Sequence, residues 1–452
     1  MTRMLLAALL LAALPILPAG AQAADCAAAQ RDHDGDGIDD IAIGDPFADV
    51  KGLAGAGVVQ VAAGSPRGGG PVPVSAPGAA AGDAFGWSVA IGRFDADRCA
   101  DLLVGAPYAD VGGIRDAGAA YIVYGGSGRT DRITAREPQL DAHFGWSVAY
   151  GPDGGGVAAI GAPHEDDDGV HDAGATYLLP AGRRTALTRI TQNGQGVPGN
   201  SEAGDMFGWS VALDRLTGDP AGVDLAVGTP HENEDGTGNQ NGQGLLDTGA
   251  LTVVFDPLSG GGSYTGVRWG LNELRGAGEP VRPAAGDRFG YAVAASGGRL
   301  AVGAPLADAG GVRDAGLVHV FAAGLKKGVT VFRGGHGGEG FGFSVALSPA
   351  TASPGEGVRL AAGIPYAGPA GRGAVWLVPL ADRTAGRLVT SPAAGGRLGW
   401  AVAFSGNRLA TGIPDAAPGG SVGLLGRNQG SLTPITPAPG TSPVDFGTTI
   451  AG

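Results

Sequence analysis

The chain has 452 residues, 87 of them glycine, only 6% aromatic residues and a formal net charge of −13. Glycine at that level without a strict three-residue period excludes collagen, and the interleaved Val, Ile, Leu and Ala runs exclude a disordered chain. Acidity of this degree repels phosphate backbones, so nucleic acid is excluded as a natural partner and cation binding is favoured.

At the N-terminus Arg3 supplies a positive end, Leu5 to Leu17 an apolar run broken by Pro15, and Ala21-Gln22-Ala23 a small-residue cleavage box. Residues 1–23 therefore read as an export signal rather than a membrane anchor. No later run is apolar enough to span a membrane. Removing the signal takes away Arg3 and no acid, so −13 becomes −14. Residues 24–452 are expected to form one domain. The only cysteines, Cys26 and Cys99, lie 73 residues apart in this exported part. They read as a disulfide candidate, the alternative being two inert small hydrophobes.

Next comes the loop Asp32-His33-Asp34-Gly35-Asp36-Gly37-Ile38-Asp39-Asp40. Carboxylates at positions 1, 3, 5 and 9, with the backbone carbonyl of position 7 between them, can surround a hard cation with oxygens. The expected ligands are Asp32, Asp34, Asp36, Asp40 and the carbonyl of Ile38, and the expected ion is Ca²⁺. An EF-hand would place a Glu at position 12, which here is Ile43, inside a predicted strand.

The rest of the chain repeats itself. FGWSVA begins at Phe85, Phe144 and Phe207, and variants begin at Phe289 (FGYAVA), Phe341 (FGFSVA), Leu398 (LGWAVA) and Phe446 (FGTTIA). A second element ends in Gly-x-Pro, as in IAIGDP at 41–46, LLVGAP at 102–107 and LATGIP at 409–414. A third, such as GAAYIVYG from Gly118, follows, and a more variable fourth precedes the next FG. Short β-branched or aromatic runs bounded by Gly, Pro or Asp are strands. Four per unit, at a spacing of about 50 to 80 residues, define the blades of a β-propeller. The first Gly-x-Pro element has no FG strand before it, and the last FG strand has no Gly-x-Pro after it. Seven of each match only if the C-terminal strand completes the N-terminal blade. The fold expected is all-β, a seven-bladed propeller closed in this way, with the FG phenylalanine packed between blades and the FG glycine allowing close backbone approach.

Units running FG, acidic loop, GAP resemble the FG-GAP repeats of integrin α-subunit propellers and their bacterial relatives, over essentially all of residues 24–452. The resemblance implies metal loops between first and second strands on one face. It places loops between second and third strands on the opposite face, the side integrins use for ligands. It does not imply the integrin function, since no leg region, membrane span or cytoplasmic tail is legible. Aligning Asp101 with Asp40 gives a weaker second loop with Asp95 and Asp97, where Arg93 takes position 1 and Arg98 replaces the turn glycine. Later loops degenerate further, with Asp153 in a glycine run and Asp214, Asp219 and Asp224 at unsuitable spacing. The same alignment puts Cys99 at position 7 of the second loop, with Cys26 just before the first; adjacent blades would bring the two loops near one another, so a Cys26–Cys99 bridge would tie the N-terminus beside the closing blade.

A second acidic group, His164, Glu165, Asp166, Asp167 and Asp168, is echoed by His231, Glu232, Asn233, Glu234 and Asp235. Both follow Gly-x-Pro strands and are expected on the face opposite the metal loops, as a candidate ligand face beneath the polar insertion 236–246. The seven histidines form no HExxH pattern, and GGSVG at 419–423 precedes a strand with no helix after it, so no catalytic site is expected. The function expected is a secreted, periplasmic or extracellular calcium-stabilised recognition or adhesion module for a protein or glycan. The alternatives are a structural or assembly component of a surface complex and, behind it, a hydrolase.

Overall fold

Repeated strands with no helical period can bury their faces only by stacking on one another, and a computed structural model shows how they do so. It describes Cys26 and residues 30–452, less 65–69, 96, 153–155, 184–185, 221, 234–243, 275–281, 326–329, 351–356, 392–394 and 427–429. The expected export signal, Asp153, Glu234, Asp235 and most of the insertion 236–246 thus lie outside the described residues.

Among the described residues, twenty-eight strands form seven four-stranded antiparallel sheets. In the second blade these are β4 (Ser88–Gly92), β5 (Asp101–Ala106), β6 (Ala119–Val123) and β7 (Thr130–Ile133). The FG strand is innermost, the Gly-x-Pro strand next, and the variable strand outermost. The Gly-x-Pro strands are apolar on both faces, since each blade covers both its neighbours; Leu102, Leu103 and Val104 are all fully buried.

Every letter of FGWS has a separate inter-blade role. The FG phenylalanines Phe85, Phe144, Phe207, Phe289 and Phe446 are wholly buried wedges. Phe144 bridges in parallel to Gly118 of the preceding blade, with its amide donating to Ala117 O. A Cβ on Gly118, at φ 87°, would stand 2.3 Å from Phe144 N, so no other residue fits. One step inward, a Cβ on Gly105 would lie 1.9 Å from Gly145 O, so Gly-x-Pro and FG glycines meet as bare backbone across the seam. The serine then crosses it: Ser88 Oγ donates to Gly145 O at 2.8 Å, and Ser147, Ser210 and Ser344 repeat this to Gly208, Gly290 and Gly399.

At the ring's ends β28 (Thr449–Ala451) pairs antiparallel with β1 (Asp40–Asp45), Ile450 opposite Ile43, consistent with the closure expected. The wholly buried Asp45 accepts the amides of Val444 and Asp445, and Thr449 Oγ1 donates to Gly86 O in place of the usual serine.

Candidate metal centre and aromatic face

The loop 32–40 leads into β1, and its carboxylates are held by the loop's own backbone. Asp32 is fully buried and accepts the amides of Gly35 and Gly37, at 2.6 and 2.9 Å. Asp34 accepts Asp36 N, and Asp36 accepts Ile38 N. Gly35 and Gly37 take φ of 87° and 83°, which wraps the chain tightly round the acids. Oxygens of Asp32, Asp34 and Asp40 come within 4.8 Å of one another, whereas Asp36 is not in that set.

Asp40 carries the sharpest signal. One oxygen accepts His33 N at 2.8 Å, but the buried Oδ1 has no hydrogen-bond partner. Burial raises its pKa to about 7, the His33 amide opposing and Asp34 and Asp36 reinforcing the rise. A buried acceptor facing further acids is a poor arrangement for carboxylates alone and a good one for a divalent cation. Hard oxygen donors with no sulfur or imidazole in the set suit Ca²⁺ or Mg²⁺ rather than zinc.

Asp95, Asp97 and Asp101 form the same kind of group in the next blade. There Asp101 is better satisfied, one oxygen taking the amides of Phe94 and Asp95 and the other that of Gly125. Its pKa is raised by burial to about 6, those amides opposing. The two loops interlock. Ala100 N donates to Asp32 O, Gly126 N donates to His33 O, the His33 ring bonds Ala100 O, and Cys26 and Cys99 are joined by a disulfide. Two blades on, Asp224 is occupied by Thr217 and Asp256 N, and Asp214 by Arg215 N and Gly298 N.

At the opposite face, where second strands turn into third strands, the residue after each FG faces the mouth of the central channel. Trp87, Trp146, Trp209, Tyr291, Phe343 and Trp400 stand in successive blades, each half-buried, with neighbouring ring centroids 4.7–5.6 Å apart from Trp87 round to Trp400. Thr448 takes the seventh place and breaks the collar. A second, outer set comes from the residue after five of the seven Gly-x-Pro elements: Phe47, Tyr108, His164, His231 and Tyr366 all pack edge-on or tilted against the collar. Burial lowers the pKa of His164 and His231 and takes His143 down to about 4, His164 and Arg115 adding to the fall and Asp141 opposing it, so His143 stays neutral at pH 7.

The acidic loops behave differently from the expectation. Glu165 is 1% exposed and Glu232 4%, so both carboxylates are turned inward rather than offered to solvent. Glu165 holds Arg189 at 2.6 Å and accepts the Tyr177 hydroxyl; Glu232 holds Arg268 at 2.8 Å and accepts Gln192. They are braces between the outer strands. Asp166 stays at the surface with His171, and His164 and His231 pair with Asp172 and Asp247. Asp168 lies in the same turn at φ 50°. The aromatic collar was not singled out in the sequence, although the third letter of the FG motif and the residue after Gly-x-Pro carry it in plain view.

The fold and these loops define a seven-bladed β-propeller with acidic loops on one face and an aromatic collar on the other. Two family models, both described as FG-GAP repeat, match the chain, one at residues 85–123 and the other at 128–179 and 283–321. Integrin alpha-PS2 of Drosophila melanogaster is 31% identical over 162 residues, which is 34% of this chain and 11% of that protein, so the chain spans about a tenth of its relative. Among solved structures, the BP39L lectin from Burkholderia pseudomallei aligns over 91% of this chain and 99% of its own, at 16% identity and a TM-score of 0.47. YCF48 bound to D1 peptide aligns over 76% and 81%, at 10% identity and a TM-score of 0.40. The chain is a seven-bladed β-propeller that carries FG-GAP repeats and is similar in part to an integrin α-subunit.

Proposed function

We propose that the chain is an exported, calcium-stabilised, non-catalytic recognition module that binds a protein or glycan ligand on its aromatic face. The observation that carries this is the collar: six half-exposed rings on successive blades, backed by a second set and held in place before any ligand arrives. Preorganised aromatic area suits the faces of sugar rings and the apolar or cationic side chains of a protein. Repetition supports a contact surface over a catalytic centre, because acid, base and nucleophile roles need different side chains. The buried unpartnered Asp40 Oδ1 supports calcium at 32–40, with Asp32, Asp34 and Asp40 as ligands and the Ile38 carbonyl and Asp36 completing the set. Its part is to neutralise the loop and stiffen the seam to the next blade. The disulfide supports an oxidising, extracytoplasmic setting, and no helix among the described residues is long and apolar enough to cross a membrane.

The test is a screen of the purified chain, in calcium, against glycan arrays and blotted surface proteins, with Trp146→Ala/Trp209→Ala alongside. Hits should weaken by roughly tenfold or more in the variant, as for aromatic hot spots, while its fold and calcium response persist. Hits retained undiminished by the variant would contradict the reading.

A further inference from the structure

A cleft of about 770 Å³ lies between the fifth and sixth blades, away from the acidic loops and outward of the collar, beside Tyr366. Its floor is apolar: Phe341, Ile364, Ala374 and Trp376, with Leu388 53% exposed opposite Trp376 on the adjoining strand. Glycine shapes it at two points. A Cβ on Gly334 would stand 2.0 Å from Ala315 O, and one on Gly386 would stand 2.4 Å from Trp376 Cζ2, so the indole lies against bare backbone.

The rim inverts the charge of the molecule. In a chain of net charge −13, Arg333, Arg372, Arg383 and His336 line this one cleft. The acid in its described lining, Glu339, is engaged by His336 at 3.3 Å and by Gly368 N. Arg372 and Arg383 are exposed and, among the described residues, neither side chain has a hydrogen-bond or ion-pair partner.

We propose that this cleft binds a small anionic amphiphile, an acyl or aromatic body resting on Trp376 and Leu388 with its carboxylate or sulfonate head held by Arg372 and Arg383. The volume falls within the range of about 300–1,000 Å³ usual for small-molecule sites. Arginine's planar fork matches such a head group, and its solvent-facing position leaves the ligand's head partly wet.

The experiment is a fluorescence titration of the full chain with 8-anilinonaphthalene-1-sulfonate, followed by competition with decanoate and with decyltrimethylammonium. One saturable site per chain is expected, displaced by decanoate and not by the cationic detergent. Arg372→Glu/Arg383→Glu should weaken it by roughly tenfold or more, the loss expected of a charge-assisted hydrogen bond. Gly335→Phe, at a lining position where a Cβ meets open space, should block it without changing the melting temperature. No saturable binding, equal displacement by the cation, or undiminished binding in either variant would overturn the proposal.

Discussion

At the residue scale, the repeated hexapeptide is decoded by what each atom meets. Because the serine crosses the seam, Ser147→Ala should remove one hydrogen bond and lower stability by about 1 kcal/mol, read as a shift of the denaturation midpoint. Gly105→Ala should cost more, about 1–3 kcal/mol, since its methyl group would strike a backbone oxygen that cannot swing aside. A cost for Gly105→Ala no larger than that for Ser147→Ala would show the seam to be looser than described. His319 offers a pH test. It is buried, packs edge-on to Phe289, and burial lowers its pKa to about 3. Between that value and the ordinary 6.5 of an exposed imidazole, the unfolded chain binds the extra proton, so His319 makes stability rise with pH through this window and fall as pH drops. His319→Leu should flatten that part of the pH profile relative to wild type; an unchanged difference in slope would show that His319 already protonates in the folded chain.

At the element scale, the strands were legible because the seam forces the same glycines and phenylalanines into every blade. Close backbone contact is a constraint that sequence repeats openly. The collar was equally visible but carried no chemical signature of its own, since Trp87, Trp146 and Trp209 look like core residues until the strand register turns them toward the channel mouth. The braces were not legible. Glu165 meets Arg189 and Glu232 meets Arg268 through outer-strand pairing, with no motif linking them, so a run of acids read as a candidate ligand face. The closing strand gives a prediction here. Deleting residues 444–452 removes Phe446 and β28, exposes the edge of β1 and takes away the Val444 and Asp445 amides that Asp45 accepts. The truncated chain should melt well below the intact one and self-associate, checked by calorimetry and light scattering; an unchanged melt and a monomer would mean the ring does not depend on that strand.

At the scale of the whole molecule, the propeller separates its tasks. One face gathers carboxylates into loops that lock two neighbouring blades and the N-terminal cysteine together; the other presents aromatic rings that the seams hold at fixed spacing. On the first face the acidic loop was legible as one alternating run, of which Asp32, Asp34 and Asp40 gather together while Asp36 stays outside that group. The sequence conveyed the second face poorly, because that surface is assembled one residue per blade from across the chain. In the proposed function a cation bound there would join scaffold to function, since the loop it would neutralise anchors the blade on which ring closure depends. The measurement that bears most directly on this is calorimetric titration of calcium into the metal-free protein, paired with thermal melts, for wild type and Asp34→Ala. The account predicts saturable binding by wild type, a melting temperature that rises with free calcium and falls with chelator, and loss of both in Asp34→Ala, the stabilisation reaching about 4 kcal/mol at a thousandfold excess over Kd. A wild-type melt indifferent to calcium and chelator, or a variant that responds as wild type does, would contradict it.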